Sequence, residues 1–292
     1  MAIDVLQEKI RKLKNPAMVD LALKTSDLPP HLLEEEGSAA AAYGRFCREL
    51  LTALKGIIPA VRIGFTSFAL LGPSGLNELQ SILATAADSG FYVALEAPYI
   101  LAPMMAEATA EAVWGDQSVY PCDGLIISAY AGSDIIKKFT PYVNEKKKDL
   151  FCVVRTSNKS APEIQDLLTG SRLVHAAFAD LVNRFGSDNA GKFGYARVCA
   201  VTGANSAESL RNLRMKYPKL FQLVDDMDYS GCNAKICSNS FDKFGHGAVV
   251  CAGPSITAAW LQAQTDGRDY LEQAVSAAER MKKNITRYVS VL

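Results

Sequence analysis

Phe151-Cys152-Val153-Val154-Arg155 reads as four apolar residues closed by one charge, and the fold turns on how often that pattern returns. A strand with one wet face alternates apolar and polar residues, whereas a strand buried on both faces runs continuously apolar, as in parallel sheets. Upstream of this stretch lie Gly124-Leu125-Ile126-Ile127-Ser128, Phe91 to Leu95, Ala60 to Phe65 and Ala17 to Leu23. Downstream lie Ala196 to Val201, Leu220 to Val224 and Gly247 to Cys251. Helical spacing separates these runs, as in Tyr43, Phe46, Leu50 and Leu54, in Leu76, Leu79, Ile82 and Leu83 past the breaker Gly72-Pro73, and in Leu271, Ala274, Ala278 and Met281. Eight strand-and-helix units in 292 residues predict an α/β fold of the (β/α)8 type, a TIM barrel, over an open sheet. Ile3, Leu6, Ile10 and Leu13 predict an amphipathic helix ahead of it, so 1–292 reads as a single domain with an N-terminal helix extension. Asn205-Ser206-Ala207-Glu208 predicts a helix start capped by Asn205, Pro162 a first helical position, and the run Asn144 to Asp149 a solvated helix end.

Composition narrows the function. Lys+Arg and Asp+Glu both number 31, and 49% of residues are hydrophobic, which excludes a disordered chain and argues against a nucleic-acid binder. Seven cysteines (47, 122, 152, 199, 232, 237 and 251) form no Cys-x-x-Cys pair, and His31, His175 and His246 lie far apart, so neither a disulfide framework nor a zinc site is expected. No apolar run has membrane-spanning length and the N-terminus lacks a signal-peptide core, which makes the cytoplasm the expected compartment, with no membrane partner.

In a barrel the site is expected at the carboxyl ends of the strands. Those ends carry Asp20 and Ala22, Arg62, Glu96, Ser128, Arg155 with Ser157 and Asn158, Thr202 and Asn205, Asp225 and Asp226, then Cys251. Such charges fit a polar catalytic floor, and they fit equally well ion pairs that close the top of the core. Asp225, Asp226 and Asp228 suggest oxygen ligands for a hard cation, but the spacing is not an EF-hand loop, so a solvated loop is the reading preferred and no metal is assigned. Cys251 lacks a neighbouring His in sequence to activate it. Met104, Met105 and Trp114 suit helix-to-barrel packing.

Short motifs in order then identify a family. Val61-Arg62-Ile63-Gly64 with Phe68 and Gly72-Pro73-x-Gly75-Leu76 resembles the second-strand region of the long bacterial form of orotidine 5′-phosphate decarboxylase. Ala129-Tyr130-Ala131-Gly132-Ser133-Asp134, Arg155-Thr156-Ser157-Asn158, Leu181-Val182-Asn183-x-x-Gly186 and Val201-Thr202-Gly203-Ala204 continue the resemblance, which runs from about Asn15 through Trp260. It implies a (β/α)8 barrel, no cofactor, a homodimer, and removal of carboxylate from orotidine monophosphate in pyrimidine biosynthesis.

The resemblance also implies a tetrad, Asp-x-Lys-x-x-Asp-x-x-x-Thr after strand three, whose Lys protonates the carbanion left by departing CO2. Here Glu96 takes the first position, Pro98 the Lys, Leu101 the second Asp and Met105 the Thr. Proline donates no proton, and neither Leu nor Met supplies a carboxylate or hydroxyl. The family's first-strand Asp falls at Ala22, and its second-strand Lys has become Arg62, a planar cation that stays protonated. The remaining family-equivalent contacts are Ser128, Ser157, Ser230, Gly231 and Pro254. Pro254 stands where the family places a phosphate-binding Arg, and the loop after strand seven, Asp225-Asp226-Met227-Asp228-Tyr229-Ser230-Gly231, has acids in place of glycines.

Both the proton donor and the phosphate grip are therefore altered. Three functions are open: a degenerate family member with a structural or regulatory role, a barrel enzyme of another reaction built on Arg62, Glu96 and Arg155, or a true decarboxylase with compensating residues. The family's second Asp reaches across the dimer, so a mixed dimer with an active member would be deprived of that acid at Leu101.

Overall fold

The computed structural model describes residues 2–97, 100–228 and 230–292. Eight parallel strands close into a barrel: β1 (Ala17–Asp20), β2 (Ala60–Gly64), β3 (Tyr92–Glu96), β4 (Gly124–Ile127), β5 (Asp149–Arg155), β6 (Val198–Gly203), β7 (Gln222–Asp225) and β8 (Ala248–Ala252). Each pairs with its neighbour in sequence, and Ala17 opposite Val250 closes the ring between β1 and β8. All eight runs read from the sequence are strands, and their residues are almost entirely buried.

The helices lie outside the barrel, where parallel strands require their crossovers. Ala39–Leu54 buries Tyr43, Phe46, Leu50 and Leu54, as its spacing predicts. Tyr43 has a second use: its hydroxyl donates to Leu21 O at 2.5 Å and accepts from Leu23 N at 2.8 Å, pinning the chain as it leaves β1. Inside the barrel, Tyr92 meets Phe151 edge to face, and Phe151 meets Phe221 in the same way, both at 6.5 Å between ring centroids. Gly124 makes room for them. A Cβ there would lie 2.5 Å from the Tyr92 hydroxyl and 2.7 Å from the Phe151 ring.

Four local expectations are corrected. Asp149, read as part of a solvated charge run, is fully buried and accepts from the Tyr92 hydroxyl at 2.7 Å. The run ends as a strand, and burial forces the carboxyl to find a partner. Gly72-Pro73 starts the helix Gly72–Asp88 rather than merely breaking the chain, with Gly72 at φ +70° and Pro73 in the first turn, where its missing N–H costs nothing. Pro162 opens only a 3-10 turn, Ala161–Glu163; an unforeseen hairpin, Leu168–Thr169 with Arg172–Leu173, follows before the helix Val174–Gly186 begins. The cap before Ala207–Lys216 is Ser206, whose side chain accepts from Ser209 N at 3.2 Å. Asn205 is engaged elsewhere.

Candidate functional site

Barrel closure sets four charged strand-end residues around one point. Arg62, on β2, directs Nη2 to Glu96 Oε2 at 2.7 Å and Nη1 to Asp225 Oδ1 at 2.5 Å. Asp20 Oδ2 lies 3.7 Å from Arg62 Nε, a buried N–H with no hydrogen-bond acceptor among the described residues. Register explains the convergence. Asp20 stands opposite Arg62 across the β1–β2 pair, while Glu96 and Asp225 stand opposite Gly64 and Gly203, which offer no side chain to block their lean inward.

One guanidinium thus faces three carboxylates in a poorly hydrated place. Burial pushes Asp20 up to about 6 despite Arg62, and it raises Asp225 as well. Burial alone would depress Arg62, but Asp225, Asp20 and Glu96 together hold it well above its ordinary range. A guanidinium held this firmly cannot serve as a proton donor. The cavity beside it, about 210 Å³, is walled by Asp20, Arg62, Asp225, Asp226, Cys251 and Pro254 among others, with no lysine on its wall. That is below the roughly 300–1,000 Å³ of ordinary small-molecule pockets. Burial raises the Cys251 thiol far from the range where it would ionise, so it is inert packing.

The three acids after β7 take three different partners. Asp225 holds Arg62. Asp226, at φ +61°, accepts from Ser157 Oγ at 2.7 Å. Asp228 accepts from Gly253 N at 2.8 Å and Ser255 N at 3.2 Å, the amides that open the short helix Pro254–Thr257 after β8. In barrels of this kind the loops after strands seven and eight are a frequent phosphate site. Here a carboxylate of the chain itself takes those amides. Among the described residues no group of three or more His, Cys, Asp or Glu side chains is set to hold a metal ion.

Arg155 belongs to a second cluster. Its fork is bidentate on Asp166, with Nε to Oδ1 at 3.0 Å and Nη2 to Oδ2 at 2.9 Å, and His175 Nδ1 lies 3.0 Å from the same carboxylate. That carboxyl is held below its usual range, chiefly by the hydrogen bond from Arg155. Arg155 Nη1 also donates to Asn205 Oδ1 at 3.2 Å, and Asn205 Nδ2 donates to Ser157 O at 2.7 Å. The two clusters therefore connect through Asn205, Ser157 and Asp226.

The other family-equivalent positions scatter. Ala22 is half-buried after β1, and Asp20, two residues earlier, supplies the carboxylate on that strand. Ser128, Ser230 and Gly231 are exposed, and Pro98 lies outside the described residues. Leu101 is 59% exposed and Met105 39%. Met104 is 78% exposed, so it does not pack against the barrel as expected, whereas Trp114 does, donating Nε1 to Cys122 O at 3.1 Å. Asp166 and His175 were not singled out for this cluster from the sequence. No strand-end position marks them, and only the turn of the chain back over β5 brings them to Arg155.

Comparison with known proteins follows the same line. No family model matches the chain. It is 31% identical over 221 residues to orotidine 5′-phosphate decarboxylase of Rhodopirellula baltica, covering 74% of this chain and 73% of that one. It is 25% identical over 289 residues to the enzyme of that name from Clostridium novyi, covering 98% and 99%. Among solved structures, OMP decarboxylase of Leishmania donovani superposes with a TM-score of 0.72 at 20% identity over 97% of this chain and 99% of that one.

Proposed function

The chain belongs to the orotidine 5′-phosphate decarboxylase family, and on that premise we propose that it is a degenerate member, without decarboxylase activity, that serves a structural or regulatory role. The observation that carries this reading is the state of Arg62. Decarboxylation develops a carbanion, and the site must present a fixed cation there and then give up a proton. Arg62, the one cation on the wall of the mouth cavity among the described residues, is held by Glu96 and Asp225 with Asp20 close by. Asp228 on the Gly253 and Ser255 amides, with Pro254 at the Arg position, supports the loss of phosphate binding.

The role is that of a homodimer, or of a partner to an active family member, located in the cytoplasm. Leu101, Met104 and Met105, exposed at the start of the helix Pro103–Trp114, offer apolar surface to such a partner. Seven unpaired thiols suit a reducing compartment. No helix of the described residues is long and apolar enough to cross a membrane.

A decarboxylation assay with orotidine monophosphate, together with calorimetric titration of uridine monophosphate, tests the reading. The expected result is no turnover above the uncatalysed rate and no micromolar binding. Turnover comparable to that of the named relatives would overturn it.

One observation favours a second reading, an enzyme of another reaction. Asp20, raised to about 6, and Glu96, 44% exposed in its side chain, flank a fixed cation, as general acid-base chemistry near neutral pH would ask. A metabolite thermal-shift screen repeated on Glu96→Gln checks it. A ligand whose effect disappears in the variant supports this second reading, and no ligand dependent on Glu96 leaves the residue an ion-pair partner.

A further inference from the structure

A cationic hollow lies outside the barrel mouth. Behind the loop that follows β7, two hollows of about 460 and 240 Å³ share Met227 and Asn284 as walls, and the last helix, Tyr270–Thr286, forms their far side. Lys235 stands on the loop side, while Arg280 and Arg287 stand on the helix side, seven residues apart with Asn284 between them. Spacings of four and three put these residues on one helical face.

These cations line the same pair of hollows and, among the described residues, lack counter-charge. Arg45, Arg62 and Arg155 each have carboxylates on their forks. Among the described residues no carboxylate lies within ion-pair distance of Lys235, Arg280 or Arg287, and the one acid on the walls, Asp228, is already on two backbone amides. Three positive groups therefore face one occupied carboxylate across an apolar floor that includes Met227 and Met281. Arginine forks bind phosphate and carboxylate oxygens in pairs. With a formal net charge of zero, the protein as a whole has no general attraction for anions, so the preference is local.

We propose that this groove binds a small organic polyanion, a phosphoryl or polycarboxylate compound. Asp20, Glu96 and Asp225, the ion-pair partners of Arg62 among the described residues, do not line the groove, so the proposal stands apart from the fate of the decarboxylase chemistry. Its floor is the outer side of the loop that carries Asp225 and Asp226 into the mouth, so an occupant would grip the segment that fills the family's phosphate position.

The test is calorimetric titration of pyrophosphate and, in a parallel arm, of citrate, at about 0.15 M ionic strength. Saturable binding with Kd of about 1 mM or tighter is expected in at least one arm, and the arm identifies the ligand class. Arg280→Gln and Arg287→Gln, both on solvent-facing side chains, should each weaken it about tenfold, while Lys159→Gln, at an exposed lysine off the groove walls, should leave it unchanged. Absence of saturable binding in both arms would overturn the proposal, as would binding that survives both groove variants or is lost with Lys159→Gln.

Discussion

The barrel buries charged side chains at both ends, and it treats them in opposite ways. Toward the amino end of the strands, Asp149 accepts from the Tyr92 hydroxyl amid Phe151 and Phe221; burial raises it well above the ordinary carboxylate range, which keeps it neutral where exposed acids ionise. At the carboxyl end, Arg62 gathers three acids and remains charged. One end is packing with a polar group tolerated inside it. The other is an electrostatic assembly in the place where barrels of this class keep their chemistry, and it has filled that place with its own side chains.

Removing one partner at each end tests the contrast. Arg62→Met leaves Asp20, Glu96 and Asp225 without their cation, and breaking such a group costs about 3–5 kcal/mol. Urea unfolding should register that loss at pH 7.5 and a smaller one near pH 4, where Asp20, raised to about 6, is protonated. A loss that does not change with pH would mean the guanidinium acts by packing alone. Tyr92→Phe takes the donor from Asp149 and should cost about 1–3 kcal/mol. Because that acid is held protonated, the loss should stay level across the interval in which ordinary carboxylates titrate; a slope there would show that Asp149 ionises in the folded barrel.

A comparable effect, read only through pH, concerns Asp20. Its folded value of about 6 lies above the ordinary 3.8, so the native state binds its proton more tightly than the unfolded chain does. The stabilisation this brings is fully present below pH 3.8 and is lost as pH rises through about 6. The full span is on the order of 2–3 kcal/mol. Subtracting the stability curve of Asp20→Asn from that of the parent isolates it, and a flat difference between pH 4 and 6.5 would remove Asp20 from the buried cluster.

Much of the barrel was legible because a strand buried on both faces declares itself in consecutive residues. The hairpin Leu168–Thr169 with Arg172–Leu173 was not, since two-residue strands carry no periodicity. Asp149 was hidden for a different reason: it ends a run of lysines, and only the depth of β5 shows that its carboxyl is inside. At the mouth, matching motifs placed the first-strand acid at Ala22, but the side chain that reaches Arg62 belongs to Asp20. Alignment compares residues in order, whereas β1 ends at Asp20, and Ala22, beyond it, has no polar side chain to offer.

By itself the sequence determined the (β/α)8 barrel and the family, because periodicity and residue identity are local properties. Only the tertiary structure decided which charges meet. Arg62 and Asp225 are 163 residues apart, and their contact exists because β8 closes on β1 and brings the strand ends to one rim. The same closure sets Asp228 against the amides of Gly253 and Ser255. No spacing encodes that contact, since it depends on where two loops finish in space.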